Sequence, residues 1–322
     1  MTAAPSLTLC IPVYNGGQYW KECWESVKCL THYFDSILIS FNKSELQMTD
    51  VSAILENKPD NVQYIIQPKY LEPLAHHDAI IKHLTTDYVF FLCHDDWLLE
   101  SGLKEIRSLL RNASCGPIAI FGSHEWSESE NTRPGITREL LAFPSGISVN
   151  DFVLMDIDKD FSFSLSGAVC PVKGLKEKIS MQKLFLKGLR FDNFIVTYPG
   201  IEKIYQTQNP CVRIRLHPGQ ESRQNYQREA IFDYITYFFI QSINGSSEDF
   251  VYRNVNQIIC LAVINPEIGL VAHFFKLVSA SRKWGITKSQ YLKFCLIFYK
   301  CMGNNIRLVV NRFIRRQKGG VD

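Results

Sequence analysis

Asp95 and Asp96 sit side by side straight after a wholly apolar run, Tyr88 to Leu92 (YVFFL). Neighbouring carboxylates oppose each other's ionisation, and partial burial beside such a run adds a desolvation cost. A divalent cation removes that cost. Hard carboxylate oxygens suit Mg²⁺ or Mn²⁺, which commonly bridge one or two carboxylates to a diphosphate. The same pair could instead open a helix predicted over Leu98 to Leu110, where acids favour the dipole and cap free amides. A second constellation follows Val212: strand alternation puts Arg213, Arg215 and His217 on one face. A cationic row with one imidazole suits a diphosphate, with His217 as a further metal ligand; a solvated strand face is the competing reading. His76, His77 and His94 suggest a transition-metal cluster less well. Adjacent histidines on a helix diverge, and no carboxylate–histidine spacing of the zinc type is present.

These residues need elements to hold them. Leu7 to Val13 reads as a buried strand and Gln18 to Leu30 as a helix; Ser36 to Ser40, Val62 to Ile66 and Tyr88 to Leu92 read as strands. Helices are predicted around Asp50 to Glu56, over Leu74 to Leu84 and over Leu98 to Leu110, with a further strand at Pro117 to Phe121. Strands alternating with helices make βαβ units, so the fold class is α/β with a mostly parallel central sheet and helices on both faces. Right-handed crossovers bring the strand C-termini to one edge, where such folds bind ligands. That edge collects Tyr14-Asn15-Gly16-Gly17, Ser40 to Ser44 and Cys93 to Trp97. Residues 123–150 lose periodicity and read as a long mobile loop over the site. Ser162 to Val169 and Val212 to Leu216 look like further strands, and everything from about Asn225 onward reads as helices.

Composition narrows the partners. The 322 residues carry 35 Lys plus Arg against 32 Asp plus Glu, and so slight an excess gives no field for nucleic acid. Ten scattered cysteines form no C-x-x-C pair, and the N-terminal apolar run is too short for a signal core, which together point to a reducing cytosol. Ile258 to Val278 is broken by Asn265, Pro266, Glu267 and His273, so no transmembrane helix is predicted.

Ile11 to Asn15 (IPVYN), the second strand's end Ser40 to Ser44 (SFNKS), and Tyr88 to Asp96 (YVFFLCHDD) together resemble family 2 glycosyltransferases, inverting nucleotide-sugar enzymes with a Rossmann-like GT-A fold. The resemblance runs over about residues 6–115 and resumes at 163–169 and from 188 to about 222. It implies that Pro12, Tyr14 and Asn15 form the first nucleotide-contacting loop. Phe41 stands where the family usually offers an aspartate to the base, with Ser40 and Asn42 beside it and Asn42 able to hydrogen-bond in its place. Asp78, in a His77-Asp78 pair that replaces Arg-Asn, would reach the nucleotide or donor sugar. The usual Asp-x-Asp has Cys93 for its first acid. Asp95 aligns with the metal-binding second acid, and His94 and Asp96 flank it on the donor side. Gly188 to Phe194 (GLRFDNF) matches the segment holding the general base, which implies that its one acid, Asp192, is that base, with capping of the following helix as the competing reading. Ser166-Gly167 matches a segment lining the acceptor side, and Arg213, Arg215 and His217 match the segment closing the diphosphate site.

The expectation is a metal-dependent, inverting glycosyltransferase using Mn²⁺ or Mg²⁺ and a nucleoside-diphosphate sugar, with UDP as the expected nucleotide. Its acceptor would be a glycan, as a lipid-linked oligosaccharide in O-antigen or capsule-type polysaccharide assembly. Residues 1–222 would form the catalytic domain and 223–322 a helical extension. From Lys300 to the end six cations (Lys300, Arg307, Arg312, Arg315, Arg316, Lys318) face one acid, interleaved with apolar residues at near-helical spacing. A helix of that kind can lie on an anionic membrane, which would place the protein in the cytoplasm and peripherally on the inner face of the cytoplasmic membrane. Two other readings stay open: a decayed transferase acting as a scaffold, to which Phe41 and Cys93 give substance, and a nucleotidyltransferase. The latter would want a basic, glycine-rich loop after the first strand, and no Lys/Arg run follows Gly16-Gly17.

Overall fold

The computed structural model describes residues 4–14, 17–42, 58–71, 73–112, 117–128, 145–149, 151–152, 165–176, 201–216 and 299–300. The chain divides into two compact units, 1–180 with 191–221 and 181–190 with 222–322. Of the second unit only Tyr299 and Lys300 are described, both helical; the helices expected from Asn225 onward otherwise lie outside the described residues.

The sheet is built from the inside out. β1 (Leu7–Val13) is buried at every position because it lies between two parallel neighbours, β2 (Ser36–Phe41) and β4 (Tyr88–Phe91). A strand covered on both faces and both edges reads as an unbroken apolar run. β3 (Val62–Ile66) extends the parallel set beyond β2, and past the buried Val62 most of its residues emerge into solvent. Above the strands, α1 (Gly17–Lys28) buries Trp20, Cys23, Trp24 and Val27, spaced three or four apart. α2 (Pro73–Ile81) precedes β4, and α3 (Glu100–Asn112) buries Gly102, Leu103, Ile106 and Leu110.

Past β4 the sheet changes character. β5 (Trp97–Leu98), β6 (Ile118–Glu128), β7 (Ile147–Ser148), β8 (Ala168–Pro171) and β9 (Lys203–Leu216) complete the order β3-β2-β1-β4-β8-β6-β9-β5, with β7 on β9. β8 runs antiparallel to both β4 and β6, while β9 runs parallel to β6 and antiparallel to β5. Gly167 makes the entry to β8 possible: its φ is +95°, and its N–H bonds the Phe91 carbonyl at 2.8 Å.

Two expectations are corrected. Ser123 to Glu128 is strand, not loop, because its alternating polar residues pair with β9, including Glu125 opposite Arg213; residues 129–144 lie outside the described residues. The helix after the acidic pair begins at Glu100, since Trp97 and Leu98 pair with Arg213 and Val212 as β5. Asp95 and Asp96 therefore do not cap it.

The sheet order reverses between β1 and β4, and there the strands part. Their ladder ends where Leu92 donates to the Cys10 carbonyl at 3.0 Å. Odd residues of β1 face β2, as the bond from Asn42 N–H to the Val13 carbonyl shows, so Pro12 turns its missing donor toward the side β4 has left. A proline in a central strand is tolerable only at such a place. The result is a crevice at the topological switch point, the usual ligand site of open α/β sheets.

β9 is packed tightly under this region. A Cβ on Gly102 would lie 2.5 Å from Cys211 Cβ and 2.6 Å from its backbone, and one on Gly122 would lie 1.8 Å from Cys211 Sγ. Gly102→Ala should therefore destabilise the protein by about 1–3 kcal/mol in urea unfolding, although alanine is the better helix former by about 1 kcal/mol. A gain in stability would contradict this packing of α3 on β9.

Candidate active site at the β1–β4 crevice

Cys93 leaves the sheet: its N–H bonds Ser166 Oγ at 3.0 Å, and its carbonyl accepts the Asp96 N–H at 3.1 Å. That tight turn throws one thiol and two carboxylates together, with one ligand atom from each of Cys93, Asp95 and Asp96 all within 4.8 Å of one another. Asp96 is the inner member, 3% exposed, and accepts the Arg215 N–H at 2.9 Å and the Ser166 hydroxyl. Burial first, then the Asp95 charge, push its carboxyl well above the usual range. A cation beside the pair would reverse both effects. Below them the Cys23 thiol is also pushed up, by its own burial and then by Asp96 and Asp95.

Arg215 fastens this turn from underneath. Its Nε donates to the Asp95 carbonyl at 2.9 Å, and its terminal nitrogen pairs with the Glu22 carboxylate of α1. Its guanidinium lies over the Trp97 ring at 3.8 Å and the Tyr19 ring at 4.5 Å. Planarity and a fixed fork of donors let arginine satisfy all these at once. Arg213, half-exposed, pairs with Glu125 at 2.5 Å. Both guanidinium groups of the expected cationic row thus have carboxylate partners within the chain.

On the other wall, Tyr14 stands edge-on to His76 with ring centroids 4.9 Å apart and lies 6.3 Å from His94. Beneath it runs a buried polar chain: Gln67 donates to Ser40 Oγ at 3.0 Å, and Ser40 shares a 2.8 Å bond with His76 Nε2. Burial, reinforced by His77 and His94, lowers the His76 pKa to about 4, so this imidazole is neutral at pH 7. Asn42 forms a two-point clasp with Leu71, donating to its carbonyl at 2.6 Å and accepting its N–H at 2.9 Å. Phe41 turns into the core, edge-on to Trp20 at 5.4 Å. Asp78 lies on α2 beside His77, which packs 6.1 Å from Phe91.

Of the residues expected at the site, the structure gathers Pro12, Tyr14, Ser40, His94, Asp95 and Asp96 at one sheet edge. Asn42 has its amide in the Leu71 clasp. Ser166, expected on the acceptor side, holds the acidic turn. Asn15, Asp192 and His217 lie outside the described residues. Sequence reasoning missed Cys93 as a donor, and also Glu22 and Gln67; a faint signal for Glu22 was its place one turn after Tyr19 on α1. A thiol with two carboxylates is a donor set that fits a divalent cation, and the three leave coordination positions for a second ligand.

The switch-point crevice and its cation-ready turn define a GT-A type α/β domain. Residues 8–163 match the family model described as "Glycosyl transferase family 2". Among solved structures, the chain resembles residues 1–349 of S. aureus TarS crystallised with UDP-GlcNAc: TM-score 0.60, 13% identity, 94% of this chain and 92% of that one. The same piece with UDP gives a TM-score of 0.57 at 12% identity, covering 94% and 91%. Against the longer S. aureus TarS chain the TM-score is 0.56 at 12% identity, over 80% of this chain and only 43% of that one. No curated protein matches the sequence.

Two measurements check the geometry. Arg215→Lys keeps the charge but loses the fork and the ring stacking, and should cost about 1–3 kcal/mol in urea unfolding. His76 has a pKa of about 4 when folded against 6.5 for an ordinary imidazole, so the unfolded chain binds more protons between those limits. Stability should therefore be nearly complete above pH 6.5 and fall by about 3 kcal/mol as pH drops to 4. That part of the slope should vanish in His76→Gln.

Proposed function

We propose that this protein transfers a sugar, with inversion, from a UDP-linked donor to a glycan acceptor, with a divalent cation held at the Cys93–Asp96 turn. The observation that carries the reading is the meeting of that turn with Tyr14 at the switch-point crevice of a family 2 domain. The S. aureus TarS complexes with UDP-GlcNAc and UDP, which share the fold, support UDP as the nucleotide.

The chain's own residues divide the work. Tyr14 offers a ring face and edge to the nucleoside. Asp95, half-exposed at the crevice, is the outer carboxylate toward the diphosphate, and Arg215, Ser166 and Asp96 hold its turn in place beforehand. Bound there, the cation would neutralise charge on the departing nucleoside diphosphate. Asp192 takes the proton from the acceptor hydroxyl as that oxygen bonds the anomeric carbon and the bond to the diphosphate oxygen breaks on the opposite face. His217 closes the diphosphate side; Arg213 and Arg215, each paired with a carboxylate of the chain, act on it only indirectly, Arg215 by holding the Asp95 turn. A lipid-linked oligosaccharide at the inner face of the cytoplasmic membrane is the proposed acceptor, a reading supported by the basic stretch from Lys300 onward. Among the described residues no helix is long and apolar enough to cross a membrane.

Calorimetric titration of UDP and GDP, with Mn²⁺ and then with excess chelator, tests this. UDP should bind with Mn²⁺ and weaken at least about tenfold with chelator or in Asp95→Ala. Asp192→Asn should keep UDP binding yet lose about 10²–10⁴-fold in transfer rate. Absence of nucleotide binding under every condition would overturn the reading in favour of a scaffold.

A further inference from the structure

We propose that Cys93 is a direct ligand of the bound cation and that it turns the site toward thiophilic divalent ions, Zn²⁺ or Co²⁺ over Mg²⁺. The inference rests on the cation-dependent reading above and adds to it the ion's chemical class. The Cys93 thiol and the Asp95 and Asp96 carboxylates present their ligand atoms within 4.8 Å of one another. Bond lengths of about 2.3 Å to sulfur and 2.0–2.2 Å to oxygen require ligand atoms no more than about 4.5 Å apart, a spacing that small side-chain rotations reach from this arrangement.

The thiol is held in place by the backbone on both sides. Ser166 fixes the Cys93 N–H, while the Cys93 carbonyl is fixed by the Asp96 N–H and contacted by the Cys23 thiol at 3.8 Å. Its Cβ therefore points in a set direction over the turn. Asp96 spends two of its roughly four acceptor sites on Arg215 and Ser166, which leaves sites for an ion. Cys93 is also the accessible thiol here: Cys10, Cys23 and Cys211 are buried, whereas Cys93 is half-exposed at the crevice. On coordination the thiol proton passes to solvent and the thiolate donates its pair to the metal. A thiolate favours Zn²⁺ and Co²⁺ and is a poor partner for Mg²⁺, which demands oxygen and gives up its water reluctantly. Three protein donors leave room for diphosphate oxygens.

The test uses the full chain, stripped of metal and titrated with Co²⁺ while the ultraviolet thiolate-to-cobalt charge-transfer band is recorded. A saturable band should appear in the wild type and in Cys29→Ser, and vanish in Cys93→Ser. Zn²⁺ should displace Co²⁺ at concentrations at least about 100-fold below those of Mg²⁺. In Cys93→Asp, which puts an oxygen ligand at this half-exposed position, the band should be absent and that ratio should narrow at least tenfold. A band that survives in both Cys93 variants, or Mg²⁺ displacing Co²⁺ as well as Zn²⁺ does, overturns the proposal. UDP titration of the same samples separates the two readings. UDP binding without a band removes only the thiol ligand. A band without UDP binding removes the transferase and leaves the ligand, and the lack of both removes both.

Discussion

Asp96 is a carboxylate in the protein interior, and much of the site is organised around making that tolerable. It accepts the main-chain N–H of Arg215 and the hydroxyl of Ser166, so the end of β4, the entry to β8 and the end of β9 share one small group. The Arg215 side chain then gathers the Asp95 carbonyl, Glu22 of α1 and two aromatic rings. Removing one partner from such a buried arrangement leaves the others unsatisfied at a cost of several kcal/mol. The acidic turn is therefore rigid before any ligand arrives, which is what electrostatic work on a developing charge requires.

The crevice owes its existence to the backbone rather than to any side chain. β1 loses β4 as a neighbour after Cys10, and Pro12 makes that parting permanent on one side while β2 continues to pair on the other. Tyr14 and the Cys93 turn then leave from adjacent strands in the same direction. The antiparallel β8, admitted by Gly167, closes the gap below and delivers Ser166 to the point where both Cys93 and Asp96 need it.

How far this was legible in the sequence depends on the kind of signal each element sends. β1, β2, β3 and β4 are apolar runs bounded by turn residues, and their positions follow almost residue for residue. The outer half of β6 carries Ser123, His124, Glu125 and Ser127, which resemble loop composition until β9 lies alongside with Arg213 opposite Glu125. β5 is two residues long and has no periodicity to read. Asp95 and Asp96 were recognisable as a pair, but nothing in their spacing says that one is buried and the other not. Alternation correctly put the arginines on a strand, yet it cannot reveal that Glu22, some 190 residues earlier in the chain, waits for Arg215.

The clasp between Asn42 and Leu71 bears on how this sequence can drift. An aspartate is one of the nearest replacements for asparagine in shape, and acids are the usual residues in this loop among the enzymes the sequence resembles. Here the asparagine nitrogen sits 2.6 Å from the Leu71 carbonyl, so an aspartate would face that oxygen with another oxygen and the segment after β3 would be pushed away. The isosteric exchange is the forbidden one. An acid at this position would need the 67–71 segment rebuilt first, or the charge placed on another strand.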